Sequence, residues 1–329
     1  PILTDMGLKT LEEWGHTLRP AGGEVIHVDE FLMEDPRGGD LKFEDVRKPF
    51  EDAFAAVWRG QTESDGFNRL VIELGVNWRE AALIRTLARY RQQTGMDPSQ
   101  AVQEEALRDY PVVARSLLKL FQTKFDPAAG GDAASREAEV TAVFDQITDQ
   151  LQAVKSLDHD RALRRLALLI QAIKRTNYFE VTEDGRPKPY ISIKIASREL
   201  EDLPLPKPFR EIFVWAPWIE GVHLRFGPVA RGGLRWSDRR DDFRTEVLGL
   251  VKAQQVKNAV IVPVGSKGGS FPKKLADIVR AGGDRDAQQA EAIRAYKTFL
   301  SGLLDITDNI AADGSVVPPK DVVRFEGDD

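Results

Sequence analysis

The sequence predicts a protein of the mixed α+β and α/β type, with a small α/β segment, an all-helical segment and then an α/β domain with a mixed or parallel sheet. Apolar residues recur at three- and four-residue spacing over residues 41–185, which is typical of amphipathic helices. From residue 186 onward, short strand-like runs alternate with long helical stretches, which is typical of an α/β domain. The 329 residues are enough for two or three domains.

The small α/β segment covers residues 1–40. Its apolar residues at Ile2, Leu3 and Leu8 to Leu11 suggest a short helix, and residues 24–28 are typical of a strand that follows two glycines. Residues 35–39 contain a proline and two glycines, so they predict a turn-rich break before the next segment.

The helical segment begins with a helix whose apolar face is formed by Phe43, Val46, Phe50, Phe54, Val57 and Trp58. Further helices are predicted over residues 78–93, 112–125, 136–151 and 160–175. Asn77 stands three residues before Glu80, which is the spacing of a capping box, so Asn77 predicts the start of the second helix.

The α/β domain covers residues 186–329. Residues 190–195 alternate between apolar and polar side chains, as a half-buried strand does, and two further strands are predicted over 212–215 and 222–226. A long helix is predicted over 238–257, followed by a buried strand over 259–264 and a second long helix over 287–310.

Composition excludes several classes of function. The net charge of −6 argues against nucleic acid or an anionic membrane as the main partner, and no apolar run approaches the length of a membrane-spanning helix. There is no cysteine, which excludes thiolate catalysis and cysteine-based metal sites and fits a reducing cytoplasm. The four histidines are far apart in the sequence, so we predict no metal site, and His223 is interpreted as a core or edge residue of its strand.

The segment before the first long helix of the α/β domain contains Arg231, Gly232 and Gly233. Glycine allows the backbone to approach a ligand closely, and an arginine can bind a carboxylate with its planar fork. A tight turn between a strand and a helix, with solvated arginines, explains the same residues without a ligand.

The following helix extends an apolar stripe with two polar residues. Val247, Leu250 and Val251 form the stripe, Gln254 continues it, and Lys257 lies one turn further on the same face. A glutamine and a lysine at these positions indicate either a polar pocket at the end of the helix or a lysine that reaches out to solvent.

The segment Gly265-Ser266-Lys267-Gly268-Gly269 follows the predicted buried strand as a glycine-rich loop. It is not a phosphate-binding loop, because that motif requires serine or threonine directly after the lysine, and no dinucleotide fingerprint GxGxxG occurs in the chain. A lysine that is desolvated between glycines can act as an acid, base or nucleophile near neutral pH, although an ordinary loop lysine has the same surroundings in sequence.

The whole segment RGGLRWSDRRDDFRTEVLGLVKAQQVKNAVIVPVGSKGG, residues 231–269, resembles the large-subunit bacterial NAD-specific glutamate dehydrogenases. The resemblance extends upstream through GRPKPYISIKIASRELEDLPLPKPFREIFVWAPWIEGVHLRFG and downstream through TFLSGLLDITDNI and VVPPKDVVRFEGDD. It implies that residues 1–40 are the end of an ACT-like regulatory domain, 41–185 a helical-motif domain and 186–329 the first part of the catalytic domain.

The resemblance also implies an activity and a set of site residues. The reaction is the oxidative deamination of L-glutamate to 2-oxoglutarate and ammonia, with NAD as the hydride acceptor. Lys267 is expected to be catalytic, Arg231 to bind the side-chain carboxylate, Gln254 and Lys257 to bind the α-carboxylate, and Gly233 to present its backbone to the substrate. Many smaller relatives have lysine at the position of Arg231.

In such relatives, the aspartate that exchanges protons with the catalytic lysine, and the Rossmann domain that binds NAD, come after the segment where this sequence stops. We therefore expect an internal fragment of a larger cytoplasmic homo-oligomeric enzyme, with NAD bound by a domain outside this chain. By itself the chain is expected not to reduce NAD in the presence of glutamate.

Two other functions fit the sequence. In the first, the chain is a regulatory or oligomerisation module, and its first 180 residues bind an effector or a neighbouring subunit. In the second, the chain belongs to a different lysine enzyme, in which Lys267 forms a Schiff base that borohydride would trap.

Overall fold

The computed structural model of the chain describes residues 1–36, 38, 43–97, 99–228, 232–257 and 265–329, without the side chains of residues 43 and 255–257. The chain divides into two compact units, Pro1–Ala82 and Leu83–Asp329. No helix within the described ranges is both long enough and apolar enough to cross a membrane.

The first unit contains a β-hairpin and short helices. Helix α1 (Ile2–Asp5) leads into strands β1 (Lys9–Leu18) and β2 (Ile26–Glu34), which pair antiparallel, and helices α2 (Phe43–Trp58) and α3 (Leu70–Leu74) follow. A small core holds these elements together and includes Met6, Leu8, Ala53, Val71, Ile72 and Ala81. The prediction of a helix over Leu8 to Leu11 is wrong, because Lys9 already begins β1 and its partner strand continues to Glu34.

Helix α4 (Trp78–Gln93) carries the chain from the first unit into the second. Its predicted capping box is confirmed: the Asn77 side chain accepts from the N–H groups of Arg79 and Glu80 at 2.9 and 3.0 Å, and Glu80 accepts from the Asn77 N–H at 2.9 Å. These bonds satisfy backbone donors that the first turn of a helix leaves without an intrahelical partner.

Four more helices precede the sheet, namely α5 (Gln100–Asp109), α6 (Pro111–Phe125), α7 (Ala133–Leu151) and α8 (Leu157–Ala172). The sequence analysis predicted three of them but did not predict α5. The helix predicted to reach residue 175 ends at Ala172, because Ile173 begins a strand that pairs with the next strand of the chain.

The second unit is built on a mixed sheet. Its strands are β3 (Ile173–Thr176), β4 (Ile191–Ile195), β5 (Arg210–Ala216), β6 (Ile219–Arg225), β7 (Leu234–Trp236) and β8 (Ser266–Pro272), in the spatial order β3-β4-β5-β6-β8-β7. The described neighbours pair antiparallel except for β7 and β8, which are parallel. The mixed sheet, one of the two predicted kinds, is therefore confirmed.

Helices α9 (Phe243–Lys257), α10 (Leu275–Arg280) and α11 (Arg285–Leu304) complete the unit, with a short ribbon of β9 (Asn309–Ile310) and β10 (Val316–Val317). Both long helices were predicted, although α9 begins later and α11 ends earlier than expected. The strand predicted over residues 259–264 lies outside the described residues.

Charged side chains are buried against β3 and β4. Arg175, with no exposed side-chain area, contacts Asp308 at 2.6 Å and Glu326 at 3.0 Å, and the equally buried Lys194 pairs with Glu326 and Asp329. Burial opposes ionisation of Asp308, but the hydrogen bond and charge of Arg175 outweigh it and hold the pKa of that carboxyl below its usual value. These pairs join the last residues of the chain to the sheet.

We expect Arg175→Leu to lower the free energy of unfolding by about 3–5 kcal/mol, because it removes the buried cation that binds both oxygens of Asp308 and also contacts Glu326. The matched control is Arg280→Leu, which removes a solvent-exposed ion pair with Asp277 and should have little effect. Urea unfolding of the two variants measures the difference. Equal losses of stability would contradict the structural role assigned to Arg175.

Candidate active site

The glycine-rich segment around Lys267 is a strand. Residues 266–272 form β8, which pairs antiparallel with β6 and parallel with β7, so that Lys267 lies opposite Leu224 and Gly268 lies opposite Leu234. The prediction of a loop at this position is therefore wrong. Glycine is a poor strand residue by propensity, and a strand that contains it often marks a close approach of other atoms to its backbone.

Such a close approach occurs on both faces of β8. A Cβ atom at Gly268 would lie 2.2 Å from Leu234 Cδ2 and 3.4 Å from Phe299 of α11. A Cβ atom at Gly269 would lie 2.4 Å from Val247 Cγ2 of α9. Because successive residues of a strand point to opposite faces, α9 and α11 cover opposite faces of β8, and neither glycine tolerates a side chain in this packing.

Lys267 therefore lies on the face that α9 covers. Gly269 and Lys267 are two residues apart and share a face, and Gly265, two residues earlier, contacts the same helix. A Cβ atom at Gly265 would lie 3.2 Å from Gln254 Oε1. The structure thus brings Gln254, at the end of α9, to the beginning of the strand that carries Lys267.

The glycine pair Gly232 and Gly233, which precedes β7, lies next to the beginning of β8. A Cβ atom at Gly232 would lie 1.7 Å from the carbonyl oxygen of Ser266, so only glycine fits there. The Gly268 N–H donates to the Gly233 carbonyl oxygen at 3.3 Å, and a Cβ atom at Gly233 would lie 3.9 Å from Lys267 Nζ. The Lys267 amino group therefore lies beside the backbone of Gly233.

Two of the predicted site residues are described incompletely or not at all. Arg231 lies outside the described residues. The backbone of Lys257 forms the last residue of α9, whereas its side chain lies outside the description. The apolar stripe of α9 also differs from the prediction, since Leu248 is buried together with Val247 and Val251 while Leu250 is only half-buried.

Two polar atoms at this site are buried without a hydrogen-bond partner among the described residues. They are Gln254 Oε1 and the hydroxyl oxygen of Ser266. Buried polar atoms are nearly always paired, so Gln254 Oε1, on the same face of β8 as Lys267, is a candidate for contact with a bound ligand. Ser266 directly precedes Lys267 in the strand, so its hydroxyl points to the opposite face. Ser266 was not predicted as a site residue, and the only signal in the sequence was its position directly before Lys267.

His223 lies beside the site but has a different character. It stands in β6 opposite Gly268, on the face that α11 covers. Burial, assisted by the charge of Arg225, lowers the pKa of His223 from 6.5 to about 4, so the imidazole is neutral at pH 7. No group of three or more histidine and carboxylate side chains in the described part of the chain is placed to hold a metal ion.

Comparison with known proteins gives a consistent result. The family model for the catalytic domain of bacterial NAD-glutamate dehydrogenase matches residues 146–329, and the model for helical motif 3 of glutamate dehydrogenase matches residues 62–127. The chain is 45% identical to the NAD-specific glutamate dehydrogenase of Mycobacterium tuberculosis and 46% identical to that of Pseudomonas aeruginosa. Each alignment includes the whole of this chain, which spans 21% and 20% of those relatives, about a fifth of their length.

We expect Gly269→Ala to lower the free energy of unfolding by roughly 1–3 kcal/mol, because the new methyl group overlaps Val247 of α9. Gly249→Ala is the matched control, since it adds a methyl group to the exposed side of α9 where no atom lies within 4 Å. It should be neutral or stabilise by up to about 1 kcal/mol through helix propensity. Urea unfolding distinguishes the two, and a neutral Gly269→Ala would contradict the close packing of α9 on β8.

The neutral state of His223 predicts a dependence of stability on pH. Its folded pKa of about 4 lies below the ordinary value of 6.5, so between these values the unfolded chain binds a proton that the folded chain does not. The free energy of unfolding therefore falls as the pH drops through this range. His223→Gln should remove the contribution of this histidine to the pH dependence of stability. The expected result is a smaller change of the urea midpoint between pH 7 and pH 4.5 than in the wild type. An unchanged pH dependence would show that the pKa of His223 is the same in the folded and the unfolded chain.

Proposed function

Because this chain belongs to the bacterial NAD-glutamate dehydrogenase family, we propose that it is part of an enzyme that oxidatively deaminates L-glutamate to 2-oxoglutarate and ammonia. The observation that carries the proposal is the meeting of Lys267, Gly233 and Gln254 where the end of α9 reaches the beginning of β8. The relatives that align with the whole chain carry the name of this enzyme, which supports the proposal.

The substrate requires cations at two separate places, because glutamate carries two carboxylates. Arg231 binds the side-chain carboxylate, and Lys257 together with the Gln254 amide binds the α-carboxylate. In this role Gln254 donates from Nε2 to the carboxylate. Its Oε1, buried without a described partner, is an acceptor that the α-ammonium group of the substrate can satisfy, which supports a place for Gln254 at the substrate. The backbone of Gly233 contacts the substrate beside Lys267.

Lys267 acts on protons. NAD, when bound by another domain, would supply the hydride acceptor, and the oxidised substrate would carry an iminium group at its α-carbon. The Lys267 amine takes a proton from water as the water oxygen bonds to that carbon. The lysine then returns this proton to the nitrogen of the carbinolamine, takes up the hydroxyl proton as the carbon–nitrogen bond breaks, and ammonia leaves as the ketone forms. The position of Lys267 on a strand packed against α9 holds its amino group at one place for both transfers.

The described residues do not fit a site for NAD. Dinucleotides bind at the carboxyl ends of largely parallel sheets, at a glycine-rich turn before a helix. In the described part of this chain, β7 and β8 form the one parallel pair of the sheet, and the sequence contains no GxGxxG. We therefore assign NAD binding to a domain outside this chain and derive no role in it for these residues.

The organisation of the remaining chain is proposed on sequence pattern. Residues 1–40 are the end of an ACT-like regulatory domain, to which α1, β1 and β2 belong, 41–185 are a helical-motif domain, and 186–329 begin the catalytic domain. The catalytic-domain match begins at residue 146. The enzyme is a cytoplasmic homo-oligomer, in keeping with the absence of cysteine from the chain.

Lys267→Ala in the full-length enzyme should reduce kcat by about 10²–10⁴, because general acid–base catalysis contributes on that scale. Lys252→Ala is the matched control, since Lys252 is exposed on α9. The measurement is glutamate-dependent reduction of NAD, with circular dichroism to verify that both variants are folded. Full turnover by Lys267→Ala would refute the assignment.

A further inference from the structure

The last turns of α4 hold the beginning of α9. Gln93 donates from Nε2 to the carbonyl oxygen of Arg240 at 2.8 Å and accepts at Oε1 from the Arg244 N–H at 3.3 Å. Arg244 is the second residue of α9, so its N–H has no partner within the helix. Gln93, which is 1% exposed, therefore caps α9 from another element.

The Arg244 side chain is held by the same part of α4. Its guanidinium binds both carboxylate oxygens of Glu211 in β5, at 2.8 and 2.6 Å, and the Tyr90 hydroxyl donates to Glu211 at 3.2 Å. All three side chains are buried, with exposures of 0% to 1%. Burial and the charge of Glu211 raise the pKa of Tyr90, which keeps its hydroxyl protonated as the donor.

A third contact reaches β8. Arg89 binds the buried carboxylate of Glu220 in β6 through two bonds, at 2.9 and 3.2 Å, and Lys273, directly after β8, binds the same carboxylate at 2.9 Å. Arg89, Tyr90 and Gln93 thus connect one end of α4 to both elements that carry the proposed site residues. These are α9, with Gln254 and Lys257, and β8, with Lys267.

A helix transmits a displacement along its axis because its hydrogen bonds make it stiff. The 15 residues of α9 span about 22 Å, from the turn that Gln93 caps to the turn that carries Gln254 and Lys257. Between these two turns, α9 packs against the backbone of Gly269 in β8 through Val247. A shift of the first turn therefore moves the last turn relative to Lys267.

We propose that Tyr90 and Gln93 are positioning residues for the substrate, which set the place of α9 through Glu211 and Arg244 and so hold Gln254 and Lys257 at the α-carboxylate. This rests on the proposed function. These contacts are also a connection between the helical segment and the catalytic sheet. Helix α4 lies in the part of the chain matched as helical motif 3, and its partners Glu211 and Arg244 lie in the part matched as the catalytic domain. Neither Tyr90 nor Gln93 contacts the substrate.

The first experiment uses Tyr90→Phe and Gln93→Met in the full-length enzyme. Each removes hydrogen bonds with little change of volume, and the ring of Tyr90 keeps its packing on Phe213. We expect the KM for glutamate to rise roughly 3- to 10-fold with kcat within about twofold, because contacts to the α-carboxylate stabilise the ground state and the transition state alike.

The control is Tyr110→Phe. The Tyr110 hydroxyl also makes one bond in the helical segment, accepting from the Lys155 N–H at 3.1 Å, and no described hydrogen bond joins Tyr110 to α9. The KM of the Tyr110→Phe enzyme for glutamate should equal that of the wild type. Equal KM values for Gln93→Met and Tyr110→Phe would overturn the proposal.

A double-mutant cycle separates positioning from a general loss of stability. If Gln93 acts through the end of α9, Gln93→Met should raise the KM much less in a Gln254→Ala background than in the wild type. Additive effects would mean that Gln93 supports the fold without positioning Gln254, and the proposal would fall.

Amide hydrogen exchange of the same proteins gives a readout that does not depend on catalysis. Gln93→Met should accelerate exchange in the first turn of α9, and Tyr110→Phe should not. A wild type that does not oxidise glutamate refutes the proposed function, and exchange alone then decides whether α4 holds α9. An active wild type with an inactive Lys267→Ala and a normal Gln93→Met refutes only the positioning role.

Discussion

The catalytic part of this structure depends on the direct contact of two helices with the backbone of one strand. Gly269 carries no side chain, so α9 approaches β8 to a distance that a methyl group would prevent. On the other face, which α11 covers, Gly268 leaves room for the side chain of Leu234. This contact leaves Lys267 among glycines on the face of α9. It also brings Gln254 to Gly265 and leaves the Lys267 amino group beside Gly233. Rigid placement of this kind suits the proton transfers proposed for Lys267.

The second constraint is the placement of buried charges at the junctions between elements. Glu211 and Glu220 lie in neighbouring strands and are almost inaccessible to solvent, yet each is paired with two groups from other elements. A buried ion pair adds little stability compared with apolar packing, but leaving one partner alone is costly. Such pairs therefore favour one arrangement of helix and sheet over alternatives that pack equally well. In this chain, the selected arrangement includes the position of α9.

Capping residues and side-chain periodicity in the sequence were sufficient to predict the elements that depend mainly on their own residues. The Asn77 and Glu80 capping box and the periodicity of residues 78–93 predicted α4 at its observed bounds. The alternation at residues 190–195 predicted β4. Strand β8 was missed because glycine has no side-chain pattern to reveal a strand, and β1 was missed because a short apolar run has no period of its own. The role of these glycines is set by packing against α9 and α11, which are separate elements of the chain.

For the site, the sequence by itself determined which residues are predicted to carry the chemistry, because the pattern of arginine, glutamine, lysine and glycine over residues 231–269 resembles one enzyme family. Only the tertiary structure decided that Gly233 lies beside the Lys267 amino group, that Gln254 reaches the start of the same strand, and that the hydroxyl of Ser266 is buried. It alone joined Tyr90 and Gln93 to Arg244, which lies some 150 positions further along the chain. The physical reason is that a hydrogen bond or an ion pair depends on distance in space, and no local period or spacing records a partner so remote in sequence.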